Sequence, residues 1–516
     1  MKIEYVCHAC MVIETEDLRI ATDPWLDGAV YCGQWHVFPK PVNAAKLDKL
    51  DAILVSHGHE DHLHEGTMRT LPKSAKVFYP FSFFGGAKEY IESMGFPDVT
   101  EAVTYRKYQI SEKTSVTFII NSHDSIMVVE SGGRVMINAN DALHSSPEKV
   151  IDFYVAEIKK KWPKIDTLFC GFGGASYFPN TMHVAGKNDY ETSLVREQLF
   201  ANNFCRVVKG LRPTVAVPFA ADFCLLADDQ RWINEARFPR SKMADYYREF
   251  FSEEGYEPRI TDMYSGDILD GDELLAVSPY RAQTQIGELS ALIDEQYAGE
   301  ILQKRQKRFI AEMDAESLTN EVQRNIEKRM TLFPAVKLSR LKFAVLLTDV
   351  EERNFYNIAF SNGKASVDRA IEPAEDNLLT MEMSSEVLRY SISSDWGADV
   401  ISVGYGSEIT VSSERSAEVD LESICMNLLA CYPTPADLKK APFRTLQFLL
   451  LNPPRFTTSI RKLKRFNLES ENYDRKTWLL KRPDEIRERY NLPELSSDFF
   501  AERENTIRSQ QLEASS

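Results

Sequence analysis

The chain has 516 residues, with 61 Lys and Arg against 77 Asp and Glu and a formal net charge of −16 at pH 7. That length allows two or three domains at roughly 100 to 200 residues each, and an apolar fraction of 43% is ordinary for a globular protein. The acidic balance argues against nucleic acid as the main partner, because such binding needs a Lys/Arg surface that neutralises phosphates.

The opening stretch, MKIEYVCHACMVIETEDLRI, scatters charges through its length and has no apolar core or small-residue cleavage site. It is not expected to be a secretory signal. No uninterrupted apolar run reaches the length of a bilayer span, so the chain reads as cytoplasmic with no membrane partner. In that compartment the eight scattered cysteines are expected to be buried free thiols rather than a disulfide framework. Cys7-His8-Ala9-Cys10 alternates along an expected strand, and no second pair with zinc-like spacing follows it.

Residues 1–285 alternate short apolar runs with stretches of helical period. Ala52-Ile-Leu-Val55, Val116-Thr-Phe-Ile-Ile120 and Val135-Met-Ile137 read as strands feeding polar loops; Pro147 to Trp162 and Asp189 to Leu211 read as helices. The fold class expected is α/β, with helices covering the sheets. Residues 286–334 are charged and helical in period, a connector. Residues 335–435 give a smaller α+β pattern that includes Leu341 to Leu347 and Asp399 to Gly404, and residues 436–516 give helical segments and a frayed polar tail.

All nine histidines fall in the first 183 residues. Histidine is the commonest metal ligand and the usual proton carrier near neutral pH, so this clustering points to one chemical site in the N-terminal region. Directly after the run Ala52–Val55 comes Ser56-His57-Gly58-His59-Glu60-Asp61-His62. A strand end is rigid, and the loop behind it can curl so that alternate side chains face two neighbouring positions. Imidazole and carboxylate together suit zinc, iron or manganese, so the motif alone does not choose the metal.

This motif resembles the signature of the metallo-β-lactamase superfamily, and further pieces stand in the expected order. His8 to Glu14 and Thr22-Asp23-Pro24-Trp25-Leu26 resemble its opening strands and first acidic loop; Asn121-Ser-His123-Asp124 and Asn138-Ala-Asn-Asp141 resemble its third and fourth motifs. The resemblance implies an αβ/βα sandwich, with one or two divalent metal ions, iron or zinc. His57, His59 and His123 would form the first site and Asp61 and His62 the second. Asp141 would lie between them, and Asp61 and Asp141 would serve catalysis. One element departs: where the superfamily brings a late histidine, Pro213 to Asp222 has Ala220, so Asp222 substitutes or a position stays open.

The same departure resembles the CMP-N-acetylneuraminate hydroxylase family outside its Rieske domain. Asp23-Pro-Trp-Leu26, Gly33-Gln-Trp35, Gly173-Gly-Ala-Ser176, Phe178-Pro179, Gly186-Lys187, Val208 to Pro213 and Pro218-Phe-Ala220 carry the likeness. It implies Trp35, Tyr177 and Lys187 as substrate-pocket residues. A Rieske cluster needs paired Cys-x-His and Cys-x-x-His motifs, which this sequence lacks. Two readings follow. The first is a non-haem iron hydroxylase or monooxygenase acting on a small polar, sugar-nucleotide-like molecule, with electrons from a separate reductase or ferredoxin. The alternative is a zinc-dependent hydrolase that activates a metal-bound water.

Overall fold

A computed structural model describes residues 1–81, 85–121, 124–174, 177–281, 289–306, 312–350, 354–411, 421–430, 442–444, 446, 450 and 481–495. The first sheet has eight strands, in the order Glu273–Leu275, Ile268–Asp270, Lys2–Cys7, Cys10–Glu14, Arg19–Thr22, Ala52–Leu54, Lys76–Pro80 and Val99–Ala102. The second has seven, in the order Arg259–Ile260, Val215–Phe219, Thr167–Gly171, Arg134–Asn140, Asp124–Ser131, Thr114–Asn121 and Lys107–Gln109.

Side chains alternate across a strand, so a strand buried on both faces feeds two cores. Ile3, Tyr5, Met11 and Ile13 of the first hairpin join Val116, Phe118, Met127, Phe169 and Val217 of the second sheet in one apolar layer. Val6, Cys10 and Val12 point the other way, into a different cluster. Each such large side chain contributes about 1.5–3 kcal/mol of burial energy.

Helices cover the outer face of the second sheet. Ile151, Tyr154 and Ile158 of Glu148–Lys161 recur at helical spacing and pack with Phe204, Cys205 and Val208 of Asp189–Leu211. Both helices stand where the periodicity predicts them. Asn188 caps the second, its Oδ1 accepting from Glu191 N at 3.2 Å. The two sheets lie face to face with helices outside, the αβ/βα sandwich expected from the sequence.

Beyond it come the helices Leu289–Arg305 and Glu312–Arg329. The C-terminal sheet runs Met182–Val184, Glu408–Val411, Leu379–Met383, Lys342–Leu347, Asn354–Ser361 and Lys364–Ala370. Its edge strand, Met182–Val184, comes from the N-terminal region and pairs in parallel with Glu408–Val411. One apolar cluster joins Val12, Ile53 and Val77 of the first sheet to Leu318, Val322, Ile326, Val345 and Met381, so the C-terminal part covers the outer face of that sheet. The run Asp399–Gly404 lies on and after a short helix, Gly397–Ile401. The described cysteines are free, as expected, and no described helix is long and apolar enough to cross a membrane.

Candidate metal centre

The site forms where several strands end together. Ser56 to His62 leave Ala52–Leu54, Asp124 opens its strand, and Asp141 begins a one-turn helix directly after Arg134–Asn140. Backbones around it adopt positive φ in residues with a Cβ, among them His8 at 48°, Asp23 at 36°, Tyr31 at 54° and Asn140 at 45°. Such conformations persist only where the surroundings impose them, and they concentrate at functional sites.

Among the described residues three overlapping groups of potential ligands converge: His57, His59 and Asp124; His57, His62 and Asp141; and His8, Asp61 and His62. Within each group the ligand atoms lie within 4.8 Å of one another. His57 Nε2 faces His59 Nδ1 at 2.8 Å and lies 3.5 Å from Asp124 Oδ1. His62 Nε2 lies 3.3 Å from Asp61 Oδ2 and 3.4 Å from Asp141 Oδ2.

Outer contacts fix these rings. The Ser56 hydroxyl meets His57 Nδ1 at 2.9 Å, and Asp23 Oδ2 meets His62 Nδ1 at 3.3 Å. Asp23 also accepts from Ser56 N at 2.6 Å and from Asn140 Nδ2, which ties the metal loop to the end of the neighbouring sheet. Asp61 Oδ2 pairs with His8 Nε2 at 2.9 Å, while Asp61 Oδ1 accepts from the Tyr31 hydroxyl at 2.5 Å. A ligand whose remaining atoms are held in this way is pre-aimed.

The electrostatics favour a cation. Burial opposes charge on His62, yet Asp61, Asp141 and Asp23 hold its imidazole well above the usual range. Burial likewise pushes the Asp61 carboxyl up, but His62 and His8 hold it well below its usual value. His62 Nε2 and Asp141 Oδ1 are buried without a hydrogen-bond partner. Unsatisfied nitrogen and oxygen donors, converging at a few ångströms in a field that stabilises positive charge, fit a divalent metal.

The structure thus brings His57, His59, Asp61, His62 and Asp141 close together, while His123 lies outside the described residues. It adds Asp124, quoted with the third motif but given no role there, and His8, whose turn between the first two strands carries it to Asp61. Asp222 belongs to none of the three groups; its oxygens meet Arg240 at 2.5 Å and the Tyr5 hydroxyl. Ala220 is 7% exposed, in the layer between the sheets.

Trp35 is buried and stacked on Phe223 with ring centroids 3.6 Å apart, and Phe223 in turn lies 6.3 Å from the His8 ring. The side chain of Tyr177 lies outside the described residues. Lys187 Nζ is buried without a hydrogen-bond partner, and burial lowers its pKa to about 8. Other histidines serve the fold: His64 caps a helix by accepting from Thr67 N at 3.2 Å, and His36 packs against Tyr297.

Residues 2–148 match the family described as the beta-lactamase superfamily domain. The chain is 24% identical to the cytidine monophosphate-N-acetylneuraminic acid hydroxylase of Danio rerio over 46% of its own length and 41% of that protein. It is 25% identical to a Mycobacterium tuberculosis protein named for a Rieske 2Fe-2S iron–sulfur centre, over 46% of each. The match therefore spans less than half the length of these curated relatives. Among solved structures, CmlA, a diiron β-hydroxylase from Streptomyces venezuelae, aligns over 54% of both chains at 17% identity with a TM-score of 0.37.

Proposed function

We propose that this chain, a member of the beta-lactamase superfamily through residues 2–148, is a non-haem iron hydroxylase of a small polar substrate that draws electrons from a separate reductase or ferredoxin. The observation that carries this reading is the donor set: each of the three described groups consists of two imidazoles and one carboxylate. That combination with open positions serves non-haem iron oxygenases and zinc hydrolases alike, so the choice of iron rests on the hydroxylase resemblance. The hydroxylase relative, similar over 46% of the chain, supports the same reading.

In this account His57, His59 and Asp124 hold one ion, with His123 as a further ligand. Asp61, His62 and Asp141 would hold the second. Iron bound there supplies the redox coupling between dioxygen and a reductant. Hydroxylation places one oxygen atom in a C–H bond and releases the other as water, consuming two electrons and two protons. Ala220 supplies no imidazole, so these residues would leave the second ion room for a further group. The resemblance makes Trp35, Tyr177 and Lys187 the substrate-pocket residues, and the Lys187 ammonium favours a polar or anionic group on the substrate.

The test is to purify the protein without oxygen, load it separately with iron and with zinc, and follow oxygen uptake with a chemical reductant. Iron-loaded protein should consume oxygen and zinc-loaded protein should not. Turnover of ester, amide or phosphoester substrates by the zinc form, with no oxygen uptake by the iron form, would replace this reading with the hydrolytic one.

A further inference from the structure

The C-terminal part reaches the metal loop from behind. Trp396 Nε1 donates to Gly58 O at 2.6 Å, a contact between residues 338 positions apart in the chain. Gly58 lies between His57 and His59, and a Cβ there would meet the Tyr79 hydroxyl at 2.7 Å, so this peptide is held from two sides. Asp399, three residues after Trp396, places Oδ1 at 4.0 Å from His59 Nε2. Gly404 closes on Tyr31, where a Cβ would stand 2.7 Å from Tyr31 Cβ, and Tyr31 is the residue that donates to Asp61.

The two nitrogens of His59 therefore face different neighbours. Nδ1 faces His57 Nε2, on the side where the ligand group with Asp124 converges; Nε2 faces Asp399. A carboxylate behind a ligand imidazole favours the tautomer with its proton on the far nitrogen, leaves the lone pair on the metal side and makes it a better donor. At 4.0 Å Asp399 acts through its charge rather than through a hydrogen bond. Trp396 acts on the backbone instead, holding the Gly58 carbonyl and with it the spacing of the two rings.

We propose that Asp399 and Trp396 are positioning residues of the metal centre, so that the C-terminal part completes the site rather than accompanying it. The inference rests on the metal-centre reading and is independent of which reaction the centre performs.

Its test uses full-length protein and cobalt(II) alone as the probe, reading the dissociation constant by chelator competition and the ligand-field bands by absorption. Asp399→Asn should weaken cobalt binding by about 10- to 100-fold and shift the bands, while the metal-free protein melts as the wild type does. Asp399→Glu should recover part of the affinity. Trp396→Phe keeps an aromatic ring but no donor, and should weaken binding in the same direction. Asp395→Asn, an exposed acid on the same turn, should bind as the wild type does. Wild-type affinity and spectrum in both Asp399→Asn and Trp396→Phe would overturn the inference alone, as would equal weakening by Asp395→Asn. Failure of the wild type to bind cobalt would overturn the metal-centre reading with it.

Discussion

Asp141 Oδ2 lies 3.4 Å from His62 Nε2, on the side of that ring opposite the Asp23 carboxylate. Asp141 thus reaches the centre from one sheet and His62 from the other. If Asp141 stands between two ions, its charge offsets their repulsion at the roughly 3.5–4 Å separation of such pairs. Asp141→Ala should therefore bind about one metal where the wild type binds up to two. His57, His59 and Asp124 should retain it, as read by elemental analysis after dialysis. Full stoichiometry in the variant would remove Asp141 from between the ions.

Asp222 should behave as a structural residue. It pairs with Arg240 at side-chain exposures of 12% and 8%, and it raises the Arg240 pKa although burial opposes this. Asp222→Ala leaves a buried guanidinium uncompensated, which costs about 3–5 kcal/mol of stability. Chemical denaturation should show that loss, with metal content per folded chain unchanged. Lost metal at wild-type stability would instead make Asp222 a ligand.

His183 ties the N-terminal region to the C-terminal sheet. Its Nδ1 meets Asp189 at 2.7 Å and its Nε2 meets Glu408 at 2.8 Å, and these hydrogen bonds raise its pKa to about 10. The folded value lies above the unfolded one of about 6.5. The contribution is therefore full below about pH 6.5 and is lost as pH rises toward the folded value. With the His183 side chain 40% exposed, solvent screens much of it. His183→Gln should lower the melting temperature at pH 6.5, by an amount that shrinks toward zero near pH 10. A constant deficit across that range would mean that the charge of His183 is not what joins the two parts.

The clustering of His57, His59, Asp61 and His62 was legible because its information is local: the four side chains follow directly behind the strand Ala52–Leu54. The helices Glu148–Lys161 and Asp189–Leu211 were legible for the same reason, since their periodicity sits in one stretch of chain. His8 could be read from the sequence equally as a donor behind the metal ligands or as a core histidine, because its contact with Asp61, 53 residues away, depends on a turn with φ of 48°. Asp124 was obscured by its neighbour His123, whose side chain matches the familiar motif. Trp396 and Asp399 had no local signature at all. They reach Gly58 and His59 only because the outer face of the first sheet must be covered by apolar side chains, and the C-terminal part supplies them.

Whether the loop histidines hold the catalytic metal is decided by the metal content of His57→Ala/His59→Ala protein purified without oxygen beside the wild type. The wild type should carry iron, and the variant should lose the first ion. Circular dichroism should be unchanged, because the apolar layer between the sheets does not depend on these side chains. Metal at wild-type stoichiometry in the double variant would show that these histidines do not hold the metal.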